Sequence, residues 1–437
     1  MAALDVIIIG GGLAGACLAN GLLNKAKDLV NVDVYEMDKR DSQRDGYQIR
    51  LGSYALTGFR ACLTDRQYAD LLLSFGRSGG VVSSAPTIFN PKMELLLELG
   101  KFPAYTKSAP IGRARLRNML QAPLLEHNMM HHGKTFVRYE ILKAAEGSSS
   151  PEDRRIRVHF ADGTSADCDV LISAEGSGSR INRQLGCNNI VENPETESGG
   201  ILGKCHVPWS VLRELPRVLV EKGTIFTAGS GCRLFAAVYL PDKYNSQPEA
   251  MDEGKPSDYD ESQSSLMVSF AWEGTPLPRE VSVPLRQARD TPVDWRRRAR
   301  ADPAHAADPD VAHPRVWLLG DSFHPMLPSR GMGANNAICD SADVLGPLME
   351  LARQKKKLGH VPDEAARAQL AEYENAMIPR SMRWVKTSAS QSLPDFDTFQ
   401  GKIVIFGIRL VLAVVGTAVS IAKTFGWKPH DEAPELP

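Results

Sequence analysis

Cysteine is sparse and unpatterned in this chain of 437 residues. The seven present (Cys17, Cys62, Cys168, Cys187, Cys205, Cys232, Cys339) are odd in number and include no C-x-x-C pair, which argues against a disulfide framework and a zinc site and for a reducing compartment. A metal centre is therefore not expected. A basic surplus is missing too: 51 Lys+Arg against 52 Asp+Glu leave a formal net charge of −1, so a nucleic-acid surface is not the main business of the chain. No secretory leader is read at the front, because the first apolar stretch is one strand long and runs straight into a glycine turn. The expectation is a cytoplasmic protein. With 43% hydrophobic and 24% charged residues, a chain of this length supports a substantial core and two or three structural units.

What is present begins at the front. Val6-Ile7-Ile8-Ile9 leads into Gly10-Gly11-Gly12-Leu13-Ala14-Gly15 and a helix of small residues, and an apolar-alternating segment then ends in Glu36. This is the pattern of a dinucleotide-binding βαβ unit. Gly10 permits the tight turn, Gly12 lets the backbone approach a pyrophosphate and Gly15 lets helix and strand pack closely, while the helix N-terminus offers unpaired N–H groups to the phosphates. Glu36 is placed to accept from ribose hydroxyls.

Two arginine-bearing segments follow, Gln48-Ile49-Arg50-Leu51-Gly52 and Ile111-Gly112-Arg113-Ala114-Arg115-Leu116, and either Arg50 or Arg113 is a candidate for reaching a phosphate. From Thr135 the period changes to two, over Phe136 to Ala144, Ile156 to Phe160 and Ala166 to Ser173, with Asp162-Gly163 as a hairpin turn. An antiparallel meander inserted into the nucleotide fold is predicted, its last strand delivering the turn Glu175-Gly176-Ser177-Gly178-Ser179-Arg180. Residues 195 to 290 alternate strands with loops, and Asp242 to Ser265 is polar and acidic enough to read as a surface loop. Late in the chain, Val316-Trp317-Leu318-Leu319-Gly320-Asp321 repeats the logic of the front, with a strand end, a carboxylate, a turn through His324-Pro325 and Pro328 to Gly333, and a helix start. Asp321 can accept from a sugar-like hydroxyl, and backbone N–H groups near Gly333 can point at an electron-rich ring edge.

These segments together resemble the FAD-dependent aromatic-ring and polyketide monooxygenases of the para-hydroxybenzoate-hydroxylase-like fold, in particular their fungal secondary-metabolism branch, over about residues 4–390. The fold implied is α/β: a Rossmann-like FAD-binding domain, a β-sheet substrate domain and a C-terminal apolar helix. The expected units are 1–194 (FAD-binding, with the meander), 195–300 (substrate domain), 301–395 (FAD-binding, second part) and 396–437 (apolar tail). By the resemblance, Glu36 binds the FAD ribose, Arg113 the phosphate region, Asp321 the ribityl chain, and Gly333 with Ala334 the flavin ring. Glu175-Gly176 stands for the family's Asp-Gly motif, which serves both FAD and NADPH (or NADH). The family pattern has Arg where Asn182 stands and Ala where Ser322 stands, and the stretch 280–312 is shorter and more basic than usual.

The chemistry implied is activation of O2 on a reduced flavin and transfer of one oxygen atom, by hydroxylation or epoxidation, to an aromatic, polyketide-like or alkaloid-type small molecule. Candidate catalytic residues are Lys204, Arg233 and Tyr239 on the central strands, able to orient or deprotonate a phenol, and Arg330 in the loop beside the flavin. The Arg296-Arg297-Arg298-Ala299-Arg300 run reads first as a solvated face and second as an attractor of the NADPH phosphate. The rival classes are a flavin-dependent oxidase or dehydrogenase and a flavin-binding protein without catalysis. A halogenase is disfavoured, because no W-x-W-x-I-P motif occurs.

The segment Ile403 to Ala422 is apolar for 20 residues apart from Arg409 and is flanked by Lys402, Lys423, Trp427 and Lys428. Its length matches a bilayer core and its flanks resemble interface anchors. The competing reading is a helix packed on the protein body or on a second copy.

Overall fold

The computed structural model describes residues 3–40, 46–77, 84–102, 107–142, 154–192, 198–241, 259–275, 278, 285–305, 308, 310–389 and 395–427. Its organising element is a five-stranded parallel sheet in the order Val316–Leu318, Val170–Ser173, Leu4–Ile9, Val30–Glu36, Met130–His132. Ile8 pairs with Ile172 on one side and Val34 on the other, and since Ile7 and Ile8 point to opposite faces and are both buried, the central strand is covered on both faces; it is apolar almost throughout. The helix Leu13–Ala26 follows the first strand and is buried along most of its length, which its Ala and Gly content allows. Helix Gly333–Leu358 packs beside it, and the Ser341 hydroxyl donates to the Ala14 carbonyl at 3.1 Å.

The meander is realised, with one correction. Phe136–Ile141, Ile156–Phe160 and Ser165–Cys168 form the antiparallel sheet, but the segment read as one strand from Ala166 to Ser173 splits at Asp169. The Asp169 carboxylate accepts from the Asp5 N–H at 2.7 Å and from the Lys355 ammonium at 2.5 Å. That anchor transfers Val170–Ser173 into the parallel sheet, where it pairs with both Leu4–Ile9 and Val316–Leu318.

The second layer is a larger sheet in the order Ser198–His206, Ser265–Glu273, Cys232–Pro241, Thr224–Gly229, Thr87–Phe89, Leu95–Glu98. The unit expected over 195–300 is thus completed by two strands from residues 87–98, too short to stand out in the sequence. One sheet face, carrying Ile225, Ala236, Val238 and Val268, builds a core with Leu212 and Leu219. The opposite face carries Thr224 and Phe226, and in the same cross-strand row as Phe226 lie Phe235, Ser269 and Leu202. This face meets the nucleotide unit: the Arg50 guanidinium donates to Thr224 Oγ1 at 3.0 Å, the Lys204 ammonium to the Gly46 carbonyl at 3.2 Å, and the Tyr239 hydroxyl to the Ser74 carbonyl at 3.1 Å.

Of the predicted surface loop Asp242 to Ser265, residues 242–258 lie outside the described residues. Its end is held in the core: Tyr259 is buried and donates to the Val207 carbonyl at 3.1 Å, and Ser264 donates to the same carbonyl at 2.7 Å.

Candidate cofactor and substrate site

The three glycines of the front turn have different reasons to be glycine. Gly10 has φ +106°, and a Cβ there would lie 2.3 Å from the Ala174 carbonyl oxygen. A Cβ on Gly15 would lie 2.1 Å from the Gly10 oxygen, so both positions are closed by backbone. Around Gly12 nothing lies within 4 Å of a built Cβ: it faces open space. No side chain caps the 14-residue helix that begins here, which leaves its first N–H groups directed at that space. Gln121 donates to the Gly11 carbonyl at 2.7 Å and fixes the turn from below. The Glu36 carboxylate accepts from the Gly11 N–H at 2.8 Å and the Asp38 N–H at 2.9 Å, and each oxygen keeps a lone pair for a further donor. An open backbone cradle with an uncapped helix start and a fixed carboxylate fits a dinucleotide diphosphate and its ribose.

The second cradle forms at Gly320-Asp321. Gly320 has φ +61°, and the Asp321 carboxylate projects from the strand end toward the start of helix Gly333–Leu358, with Oδ1 3.9 Å from a Cβ built on Gly333. Asp321 is exposed by accessible surface, yet burial is the first cause raising its pKa above the ordinary aspartate value, opposed by the charges of His324 and Arg113 and reinforced by Asp340. Both observations hold for a carboxylate on the wall of a deep, open cleft. The N-terminus of the 26-residue helix is again free of a side-chain cap. Asn335 ties that start to the first arginine segment, accepting from the Gly52 N–H at 2.8 Å and donating to the carbonyls of Arg50 at 2.9 Å and Gly331 at 3.0 Å.

Behind Asp321 lies a buried ion network. His324 Nε2 and Asp340 Oδ2 are 2.7 Å apart, the Gly320 N–H donates to the same oxygen at 2.9 Å, and Arg380 donates to Asp340 Oδ1 at 2.5 Å and to Asp343. Burial pushes the Asp340 carboxyl up, but His324, Arg380 and the Gly320 N–H together hold it below the usual range. His324 and Asp340 are fully buried. They hold the Gly320 turn in shape and do not face the cleft.

The remaining sequence candidates separate into two groups. Arg113 stands exposed at the start of its helix, 6.0 Å over the Tyr47 ring and close enough to Asp321 to depress its pKa, while Gly333 and Ala334 open the helix beside Asp321. Arg50 is corrected. Its guanidinium is held by Ser84, Ser108 and Thr224, so it stitches the two sheets together and is not a phosphate clamp. Glu175 is likewise turned inward: its Oε2 accepts from Ser179 Oγ at 2.7 Å, Ser173 Oγ at 3.1 Å and the Ile181 N–H at 3.1 Å. The longer Glu pins its own turn. Within the basic run, Arg296 is neither solvated nor available to a phosphate, because it pairs with buried Glu374 at 2.8 Å and donates to the His313 and Val316 carbonyls.

The catalytic candidates do not converge. Tyr239 is buried, with its hydroxyl on the Ser74 carbonyl and its pKa pushed by burial to about 12, so it is no base at neutral pH. Arg233 pairs with Glu273 at 2.8 Å at the far end of the same strand. Lys204 is an exposed edge-strand residue, and Arg330 is exposed in the short turn Pro328–Arg330. Sequence reasoning missed Gln121 and Arg380, helix residues whose partners are distant in sequence.

A separate cavity of about 210 Å³ adjoins the Glu175 turn, lined by Ser177, Ser179, Arg183, Asn188, Glu192 and Arg286 among others. Arg286 donates to Glu192 at 3.3 Å within it.

No family model matches the chain. It is 27% identical over 401 residues to 3-amino-4-hydroxybenzoate 2-monooxygenase of Streptomyces cremeus, covering 86% of this chain and 84% of that one. It is 23% identical to 6-methylsalicylate 1-monooxygenase of Aspergillus terreus over 88% of this chain and 81% of the relative. Among solved structures, Klebsiella pneumoniae HpxO complexed with FAD and uric acid superposes with a TM-score of 0.61 at 18% identity, over 95% of this chain and 96% of the other.

Proposed function

We propose a function from one premise: this chain is a member of the FAD-dependent monooxygenases with the para-hydroxybenzoate-hydroxylase-like fold. It binds FAD, takes electrons from NAD(P)H and inserts one atom of O2 into an aromatic or polyketide-like small molecule. The bound flavin supplies the oxygen activation; the protein supplies binding, orientation and exclusion of water. The observation that carries the assignment is the pairing of the open Gly12 turn with Asp321 on the cleft wall.

In this reading Gly12 and the helix start receive the diphosphate, Glu36 the ribose of the adenosine half, Arg113 a phosphate from the rim and Asp321 a ribityl hydroxyl. The Gly333–Ala334 N–H groups would hold the flavin ring. The substrate lies on the sheet face of Phe226, Phe235 and Ser269, which are half-exposed and turned toward the nucleotide unit. An apolar floor with few charges selects flat, apolar rings, and Ser269 is the polar group in the middle of that row. NAD(P)H visits without a fold of its own. The units along the chain follow the division 1–194, 195–300, 301–395 and 396–437, with residues 87–98 joined to the second.

The tail is proposed to attach this cytoplasmic enzyme to a membrane. The helix Phe399–Thr424 is long and apolar enough to cross a bilayer, and most of its large residues are exposed.

The test is substrate-stimulated NADPH oxidation under labelled O2, screened over hydroxybenzoates and small phenolic polyketides. One labelled oxygen atom in the product supports the assignment. Substrate oxidation with unlabelled product and peroxide release would make the chain an oxidase.

A further inference from the structure

The tail helix turns its apolar side away from the protein. Ile403, Phe406, Leu410, Val414 and Ile421 recur at steps of three, four or seven residues and are 54%, 69%, 58%, 62% and 53% exposed. Val404, Val411 and Val415, also exposed, widen this stripe beyond the roughly 100° with which a surface helix docks on one protein face. Gly401 and Ile405 are buried on the body side. Arg409, the one charge inside the apolar run, is exposed but donates to the Leu96 carbonyl, which gives its guanidinium a partner on the protein. Lys402, Lys423 and Trp427 mark the two ends as interface anchors do. A broad apolar face with cationic and aromatic ends fits a lipid bilayer better than a second copy of the chain, which would cover a narrower stripe.

The foot of the same helix forms the rim of the substrate face. Phe396 and Ile405 cluster with Ala228, Phe226, Ile88 and Leu96. The Phe396 and Phe226 rings meet edge-on at 6.3 Å, and the Phe396 N–H donates to the Ala228 carbonyl at 3.3 Å. Asp395 accepts from the Ser230 N–H at 2.6 Å, and a Cβ on Gly401 would lie 1.9 Å from the Asp395 oxygen. The joint is therefore tight. Phe226 projects on the sheet face that also carries Thr224, Phe235 and Ser269. One aromatic side chain thus belongs both to the floor assigned to substrate and to the packing at the base of the exposed helix.

We propose that the substrate is a lipophilic aromatic molecule drawn from the bilayer, with the tail helix embedded in lipid and the Phe396–Phe226 rim serving as the entry to the sheet face. This rests on the reading of that face as the substrate floor.

The test uses the full-length, FAD-loaded protein with vesicles of phosphatidylcholine and phosphatidylserine, and two probes, phenol and 4-octylphenol. It is compared with the triple variant Phe406→Gln/Leu410→Gln/Val414→Gln, whose substitutions are all exposed. The expected results are flotation of the wild type with vesicles, loss of flotation in the variant, and a perturbation of the flavin spectrum by vesicle-loaded 4-octylphenol at least about tenfold faster in the wild type. Phenol, delivered from water, should perturb both equally. Equal rates with 4-octylphenol would overturn entry from lipid, as would failure to float. A soluble dimer that the triple variant converts to monomer would assign the helix to a second copy instead. Absence of flavin from the wild type would sink the functional reading itself, an outcome separate from all of these.

Discussion

The proposed cofactor cradle and the proposed substrate face are built on opposite principles. The cradle is made of backbone and fixed carboxylates: Gly10 and Gly15 are closed by neighbouring main chain, Glu36 is held by two N–H groups, and the turn at Asp321 is backed by the His324–Asp340–Arg380 network. The proposed substrate face is made of side chains: Phe226, Phe235 and Ser269, all half-buried, and exposed Leu202. A shared cofactor needs the same backbone contacts every time, whereas a substrate face gains selectivity by varying side chains on a constant sheet.

The largest effect should come from closing the cradle's backbone. Gly10→Val puts a β-branched residue at φ +106° and drives its Cβ into Ala174, so a loss of more than about 3 kcal/mol is expected, read by denaturant unfolding. A stable Gly10→Val protein would show that the turn relaxes freely.

Next is Asp340→Asn, which strips the partner from buried Arg380 and His324 and should cost about 3–5 kcal/mol. Asp340 is held below its ordinary value in the folded state, so it contributes stability above that value. That stability is lost as pH falls through the ordinary carboxylate range and below it. Urea midpoints measured from neutral to acid pH should therefore decline less steeply in the variant.

Asp321→Asn should act on the cofactor and spare the fold. FAD affinity should weaken by about 1.5–3 kcal/mol through loss of a charged acceptor, read by flavin fluorescence titration. Because burial raises the Asp321 pKa, its contribution to the empty protein is present at low pH and fades as pH rises through the raised value. The apo variant should then melt at or above the wild-type temperature at neutral pH, and a lower melting temperature would contradict the cleft-wall placement.

On the substrate face the effects on stability should be smallest. Phe235→Ala should raise KM and leave flavin content unchanged. Lys204→Ala, at an exposed edge position, and Arg233→Ala, in a half-exposed ion pair, should change stability by no more than about 0.5 kcal/mol and kcat little. A large fall in kcat for either variant would restore it as a catalytic candidate.

The same division explains what the sequence disclosed. The cradle was legible because its chemistry is local: a strand, three glycines and a carboxylate one βαβ unit away, repeated as strand, Gly320-Asp321 and helix. Arg50 and Glu175 misled because a motif position says where a residue sits in the chain, while a rotamer decides whether it faces ligand or core. Ser84, Ser108 and Thr224, far from Arg50 in sequence, captured one, and Ser173 and Ser179 captured the other. The strand split at Asp169 was hidden because its cause, Lys355, lies 186 residues away. The proposed substrate face escaped for a related reason: its row Leu202, Ser269, Phe235, Phe226 is assembled by cross-strand register from four separate segments.

The most direct test of the central claim is the flavin content of the purified protein beside that of Gly12→Val. Gly12 faces open space, so the variant should fold and melt like the empty wild type yet release almost no FAD on denaturation, while the wild type releases about one FAD per chain. Equal flavin in both proteins would contradict the assignment of the front turn as the cofactor cradle.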